Sequence, residues 1–329
     1  VRGRNKTDVE AARRAPVELR DVKKIAVFGA GTMGPGLALV FALAGYPVSI
    51  YSRKRETLTR ARQVMDSALV TLAAHRTIAA EEVETVSARI DATQSLTAAA
   101  DEADFVLESI VEDKEAKREL FSQLAELCPE RTILASNTSS LNIFELLPES
   151  IQRRSLCAHF FTPAHIIPLV EVVPGPGTAA EALSLTVALM QACGKSPVVM
   201  KRFAPGFIVN RIQRAIGETA MDMIEEGLVD PADIDQAVKA SLGVRLPVVG
   251  VMQTFDFQGL DMLLAYQKNV DKVYTFVQAL VEQGSVGVKA GRGIYDYQGR
   301  SETEVLARRD ALYLKMLDHL RSLGAFEPV

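Results

Sequence analysis

Cysteine is scarce in this 329-residue chain, and what there is does not form a framework. Cys128, Cys157 and Cys193 have neither CxxC nor zinc-ligand spacing, and an odd scatter is no disulfide set. A reducing, cytoplasmic setting is therefore expected. A dominant charge is also lacking. Lys and Arg number 37 against 41 Asp and Glu, so the net charge of −4 leaves no electrostatic footprint for nucleic acid or an anionic membrane. Long apolar runs are missing except between Ile25 and Tyr51, a stretch without a charged residue that on length alone could span a bilayer. Gly29, Gly31, Gly34, Pro35, Gly36, Gly45 and Pro47 break it up, so a buried strand, a glycine loop, a helix and a second strand is the better reading. Residues 1–22 mix Arg2, Arg4, Arg13 and Arg14 with Asp8, Glu10 and Glu18 and contain no apolar secretion core; they read as a flexible polar arm.

What is present is a chain of ordinary globular composition, 48% hydrophobic and long enough for about two domains. Short β-branched runs are expected as strands at Ile25–Phe28, Val48–Tyr51, Phe105–Glu108, Thr132–Ala135, Ser155–His159, Leu169–Val173 and Pro197–Met200. Helical patterns separate them at Met33–Ala44, Glu56–Ala74, Lys114–Leu127 and Ala180–Ala192. This alternation predicts an α/β fold with a doubly wound, mainly parallel sheet. After Pro205 only helical patterns follow, at Phe207–Glu226, Pro231–Ser241, Asp261–Glu282 and Glu302–Leu323. The expected division is an arm over 1–22, a dinucleotide-binding domain over 23–204 and an all-helical domain over 205–329 for substrate and dimerisation.

Gly29-Ala-Gly31-Thr-Met-Gly34 is a GxGxxG that follows the first strand and opens the first helix. Its glycines suit a tight turn, close approach to a pyrophosphate and close helix–strand packing, and the helix N-terminus offers unpaired N–H groups to phosphate. The fingerprint then asks for an acid at the end of the second strand, to hold the ribose hydroxyls. Ser52 stands there, followed by Arg53, Lys54 and Arg55. Those cations suit the 2′-phosphate of NADP, or they form a solvated helix start with Ser52 bonding the ribose of NAD.

The motifs GAGTMG (29–34), ESIVED (108–113), SNTSSL (136–141), HFFTP (159–163), PLVEVV (168–173), PGFIVNR (205–211), DPADID (230–235) and KAGRGIYDY (289–297) occur in order. With them the chain resembles the 3-hydroxyacyl-CoA dehydrogenase superfamily. The resemblance implies a Rossmann-type N-terminal domain, a helical domain that makes a homodimer, NAD as cofactor and oxidation of a secondary alcohol between the domains. It makes His159 and Glu171 a catalytic dyad, Ser139 a ligand of the substrate oxygen near the nicotinamide, and Asn210 a substrate-positioning residue. Hydride transfer from a C–OH carbon needs a base for the hydroxyl proton, and an imidazole oriented by a carboxylate suits that role near neutral pH. Glu171 lies twelve residues on from His159, which allows a hairpin-like return that joins them; the bland reading of His159 is a packed core histidine. Gly29, Gly31, Thr32, Met33, Gly34, Ser52 and Arg53 would hold the cofactor's phosphates and adenosine. Glu112 and Lys117 match a pair beside the nicotinamide ribose, although on sequence alone they are exposed charges on a helix start. Lys289 matches a lysine that reaches back to the cofactor, and Thr162 replaces the usual asparagine. His165 reads as a loop or pocket residue, no metal site is expected, and the cysteines match no family nucleophile.

Three departures concern the CoA rim. By register, Ala68, His75 and Pro168 stand where acyl-CoA members carry a serine and two lysines. Arg245, in Leu-Gly-Val-Arg-Leu-Pro (242–247), resembles the branch that acts on free carboxylic acids, which includes the L-gulonate dehydrogenase/lambda-crystallin group and carnitine dehydrogenase. A guanidinium can grip a carboxylate through two parallel hydrogen bonds. The expectation is an NAD-dependent dehydrogenase of a small carboxylate-bearing substrate, with Ser139, Asn210 and Arg245 binding it. The member it most looks like oxidises a 5-formyl-3-hydroxy-2-methylpyridine-4-carboxylate in vitamin B6 breakdown. The alternatives are a short-chain 3-hydroxyacyl-CoA dehydrogenase and a non-catalytic NAD-binding protein.

Overall fold

A computed structural model describes residues 18–327. Residues 1–17 of the expected arm lie outside them; its last residues form a single 3-10 turn, Leu19–Asp21, before the buried Val22.

Eight strands form one sheet: β1 (Ile25–Phe28), β2 (Val48–Tyr51), β3 (Ile90–Thr93), β4 (Phe105–Glu108), β5 (Ile133–Ser136), β6 (Ser155–Phe160), β7 (Leu169–Pro174) and β8 (Ser196–Val199). Their spatial order is β3-β2-β1-β4-β5-β6-β7-β8, parallel except where β7 runs antiparallel to β6. Successive side chains of a strand face opposite sides. Ile25 and Val27 accordingly enter one core cluster, and Ala26 and Phe28 the other. Helices α1 (Gly34–Leu43), α2 (Arg55–Ala74) and α7 (Ala180–Ala192) cover the first face, and α5 (Lys114–Leu127) covers the second. Burial on both sides explains why β1 and β4 are wholly apolar until Glu108. Short helices α3 (Glu82–Ala88), α4 (Leu96–Ala100) and α6 (Glu149–Gln152) complete the connections.

The strand absent from the sequence reading, β3, is an edge strand in which Ile90 alone is buried. With no apolar run to mark it, its pairing to β2 supplies the order that local pattern lacks.

The chain divides into two compact units between Arg214 and Ala215, within helix α8 (Val209–Glu225). The second unit carries α9 (Pro231–Ala240), α10 (Leu242–Gln258), α11 (Leu260–Asn269), α12 (Thr275–Glu282) and α13 (Glu302–Ser322). Two expectations are corrected here. The pattern read as one helix over 261–282 is two, α11 and α12, parted by residues 270–274. Helix α10 was not anticipated, because Pro247 and Gly250 interrupt its pattern; Gly250, at φ +67°, is a kink between two helical stretches.

Within this unit the buried Asp256 accepts hydrogen bonds from the amides of Ile294 and Tyr295 and from the Tyr297 hydroxyl. This ties the Gly-Arg-Gly turn to α10. A Cβ on Gly293 would lie 2.3 Å from Asp256 Oδ1, so glycine is required there.

Candidate active site

The first four-residue strand delivers the chain into the glycine loop. Gly29 has φ +116°, and a Cβ on it would sit 2.3 Å from the Ser109 carbonyl oxygen. A Cβ on Gly34 would sit 2.0 Å from the Gly29 carbonyl oxygen, so that glycine lets α1 start against the loop. Gly31 differs: a Cβ there meets no atom within 4 Å. Packing does not demand glycine at 31; an open backbone at the mouth of a helix does, and it is what a pyrophosphate requires.

Gly31 opens on a cavity of about 630 Å³ lined by Gly29–Met33, by Tyr51, Ser52, Arg53 and Lys54 at the end of β2, and by Ser109, Ile110 and Val111 after β4. It lies where the strand order turns from β2 to β4 on either side of β1, the place where doubly wound sheets bind dinucleotides. Loop, helix start and cavity fit NAD. Of the residues expected at the cofactor, Gly29, Gly31, Thr32, Met33, Ser52 and Arg53 line this space. Tyr51, Thr57, Leu96, Ile110 and Gln123 line it too and were missed. The position of ESIVED at the end of a strand was the signal for Ile110; the others carry none.

Lys117 departs from the exposed charge the sequence suggests. It is 1% exposed, with Nζ 2.6 Å from Glu108 Oε1 and 3.2 Å from Glu112 Oε2. Glu108, fully buried at the end of β4, also accepts the Ile110 amide at 2.7 Å and the Ser136 hydroxyl. Glu112 then accepts hydrogen bonds from the amides of Ser139 and Ser140 and from the hydroxyls of Thr138 and Ser140. Burial pushes the Glu112 carboxyl up, but Thr138, the Lys117 ammonium and the Ser139 amide outweigh it and hold it below the usual range. One carboxylate therefore pegs the turn that presents Ser139, and Lys117 clamps that carboxylate to the sheet.

His159 and Glu171 meet inside the sheet. Nδ1 of His159 lies 2.8 Å from Glu171 Oε2, with His159 5% exposed and Glu171 wholly buried. The amides of Ile208 and Val209, at the start of α8, donate to Glu171 Oε1 at 2.8 and 2.9 Å. Burial raises the Glu171 carboxyl, yet His159 and these two amides bring it below the ordinary carboxylate value. The imidazole is packed between Phe161 and Phe207, with ring centroids at 4.6 and 5.4 Å. It is thus a packed histidine as well as a carboxylate-bound one. With Glu171 ionised, Nδ1–H is the donor of this bond, which in a neutral imidazole leaves Nε2 as the nitrogen with the lone pair. Asn210 follows the two amides directly and is half-buried.

The remaining candidates fall elsewhere. The Thr162 hydroxyl donates to the Met33 sulfur at 2.8 Å, tying the loop after β6 to the glycine loop. His165 is half-buried, with Nδ1 unpartnered. In the second unit, Lys289 pairs with Asp261 at 2.7 Å. Arg245 has no carboxylate partner among the described residues: Nη2 donates to the Ser241 hydroxyl at 3.1 Å, and the buried Nε has no partner.

Two family descriptions match the chain: the 3-hydroxyacyl-CoA dehydrogenase NAD binding domain over residues 24–203 and the C-terminal domain of the same family over 206–297. Among curated relatives, the 3-hydroxyadipyl-CoA dehydrogenase of Escherichia coli is 36% identical over 87% of this chain, which spans only 61% of that protein. The 5-formyl-3-hydroxy-2-methylpyridine 4-carboxylate 5-dehydrogenase of Mesorhizobium japonicum is 32% identical over 88% of this chain and 95% of its own length. The solved 3-hydroxyacyl-CoA dehydrogenase of Archaeoglobus fulgidus superposes with a TM-score of 0.74 at 30% identity, covering 92% of this chain and 99% of that one. With both domains matched in order and the dinucleotide cavity in place, the chain belongs to the 3-hydroxyacyl-CoA dehydrogenase family of NAD-dependent oxidoreductases.

Proposed function

We propose that the protein is a dehydrogenase of a small carboxylate-bearing substrate, and specifically that it oxidises 5-formyl-3-hydroxy-2-methylpyridine-4-carboxylate to the dicarboxylate. The observation that carries this reading is Arg245, a guanidinium with no carboxylate partner and a buried Nε that bonds nothing. A substrate carboxylate would satisfy it by a charge-assisted, two-point contact. The positions expected to hold CoA offer little in its place. Ala68 packs against the apolar core, and His75 and Pro168 are exposed. Identity does not separate the readings, because the CoA-thioester relative and the pyridine-carboxylate relative are 36% and 32% identical.

NAD, when bound, supplies the hydride acceptor. Nε2 of His159 takes the proton of the reacting hydroxyl; for a formyl substrate it takes the proton of a water adding to the formyl carbon, which gives the hydrate. Glu171 holds the imidazole in the productive tautomer and favours the imidazolium that forms. Ser139 and Asn210 hold the reacting oxygen. The expected assembly is a homodimer, supported by Ile212, Ile216, Met221 and Ile224, large apolar side chains exposed on α8.

The test is absorbance at the reduced-nicotinamide band. The formyl-pyridine acid with NAD should give NADH, and acetoacetyl-CoA with NADH should be left untouched. Brisk oxidation of NADH by acetoacetyl-CoA would establish the acyl-CoA activity instead.

A further inference from the structure

In Ser52-Arg53-Lys54 the serine can serve the ribose of NAD, but NAD gives the two cations no partner. In the doubly wound dinucleotide fold the end of the second strand carries a carboxylate that hydrogen-bonds the ribose 2′-hydroxyl, and its charge repels a 2′-phosphate. Here Ser52 stands at that place, and Ser52, Arg53 and Lys54 all line the cavity that the glycine loop opens. Arg53 and Lys54 are exposed, and neither pairs with a carboxylate among the described residues. A solvated helix start would leave them unpaired too; what sets them apart is that both line the dinucleotide cavity. The backbone that carries them is fixed: the Lys54 amide donates to the Ser52 hydroxyl at 3.3 Å, and Gln94 Nε2 donates to the Arg53 carbonyl at 3.0 Å. The carboxylate among the lining residues is Glu119 on α5, whose Oε1 accepts from Gln123 at 3.5 Å.

We propose that this end of the cavity is a 2′-phosphate site, so that the protein takes the 2′-phosphorylated dinucleotide as well as NAD. Arg53 supplies a planar fork for phosphate oxygens, Lys54 a second cation, and Ser52 a hydroxyl that serves either a ribose hydroxyl or a phosphate. The proposal rests on dinucleotide binding in this cavity and adds a second ligand class to it.

The test reads binding rather than turnover. Calorimetric titration of the full chain uses adenosine 2′,5′-bisphosphate and adenosine 5′-monophosphate as fragment probes, with NADH and NADPH alongside. The bisphosphate should bind about tenfold tighter than the monophosphate, as expected for a phosphate gaining two charge-assisted partners. The advantage should shrink as salt is raised. In an Arg53→Ala/Lys54→Ala variant it should fall to about one, with NADPH losing more affinity than NADH. Equal binding of the two fragments by the unaltered protein, or an advantage that survives the double substitution, overturns the proposal. A protein that binds NADH but not NADPH overturns it as well. Failure to bind NADH removes the dinucleotide reading beneath it, so the two failures are told apart.

Discussion

His159 and Glu171 stand directly opposite each other on antiparallel β6 and β7, and their 2.8 Å hydrogen bond is a cross-strand contact. Directly opposed residues put their Cβ atoms about 5 Å apart on one face, so strand register alone brings the two side chains within reach. Replacing His159 by Ala should lower kcat by about 10²–10⁴-fold, the usual worth of a positioned acid–base group. NADH binding should survive. Steady-state rates beside a cofactor titration separate the two; unchanged turnover would remove His159 as the acid–base group.

Lys117 and Glu108 form an ion pair in which both side chains are buried. A Lys117→Met variant would leave that carboxylate with two neutral donors and no cation, at a cost of about 3–5 kcal/mol. Urea unfolding should show this, and a Lys117→Met/Glu108→Leu double variant should recover much of the loss. Additive losses would show that the pair is not coupled.

Acid should destabilise the protein through Glu171 and Glu112. Both carboxyls are held below their ordinary value in the folded state. The unfolded chain therefore binds protons at a pH where the native one does not. The contribution is full above about pH 4.3, the ordinary value, and is lost as pH falls through the depressed folded values. Urea midpoints between pH 7 and pH 3 should decline at the acid end, and less steeply in Glu171→Gln.

Two glycines of the loop should respond in opposite ways. Gly29→Ala places a Cβ against the Ser109 carbonyl at positive φ and should cost stability, by about 1–3 kcal/mol or more. Gly31→Ala meets nothing, so its melting temperature should hold while NADH affinity falls. Calorimetry beside thermal melts decides both; a Gly31→Ala protein with normal NADH affinity would place the pyrophosphate elsewhere.

The cysteines should be inert in the native protein. Burial pushes Cys128 up to about 11 and Cys193 up to about 12, while Cys157 is fully buried and raised as well. Thiolate, the reactive form, is then scarce near neutrality. A disulfide reagent at pH 8 should label none of the three quickly, and all three once urea is added.

Much of the sheet was legible because buried strands announce themselves. Ile25–Phe28, Val48–Tyr51 and Phe105–Glu108 are short apolar runs whose ends coincide with the observed strands. Ile90–Thr93 was invisible, since an edge strand with two exposed residues has no such run. Pro247 and Gly250 hid α10, because local propensity argues against a helix that the tertiary fold nevertheless forms around a kink. At the site, the spacing of His159 and Glu171 allowed the hairpin return. The burial of Lys117 was not readable, because its two carboxylates sit on β4 and on the loop after it, and only the folded chain puts the lysine between Glu108 and the Glu112 that holds the serine turn.

The β6–β7 register also separates what must stay from what is free to change. The dyad is fixed by strand pairing, whereas residues 161–168 between the strands form a loop outside the ladder. Phe161 packs on the imidazole and Ala164 is buried, but exposed positions such as Ile166 and Pro168 can exchange side chains without shifting His159 relative to Glu171, provided the pairing is kept. A descendant or a designed library could therefore vary those positions while inheriting the His159–Glu171 pair intact.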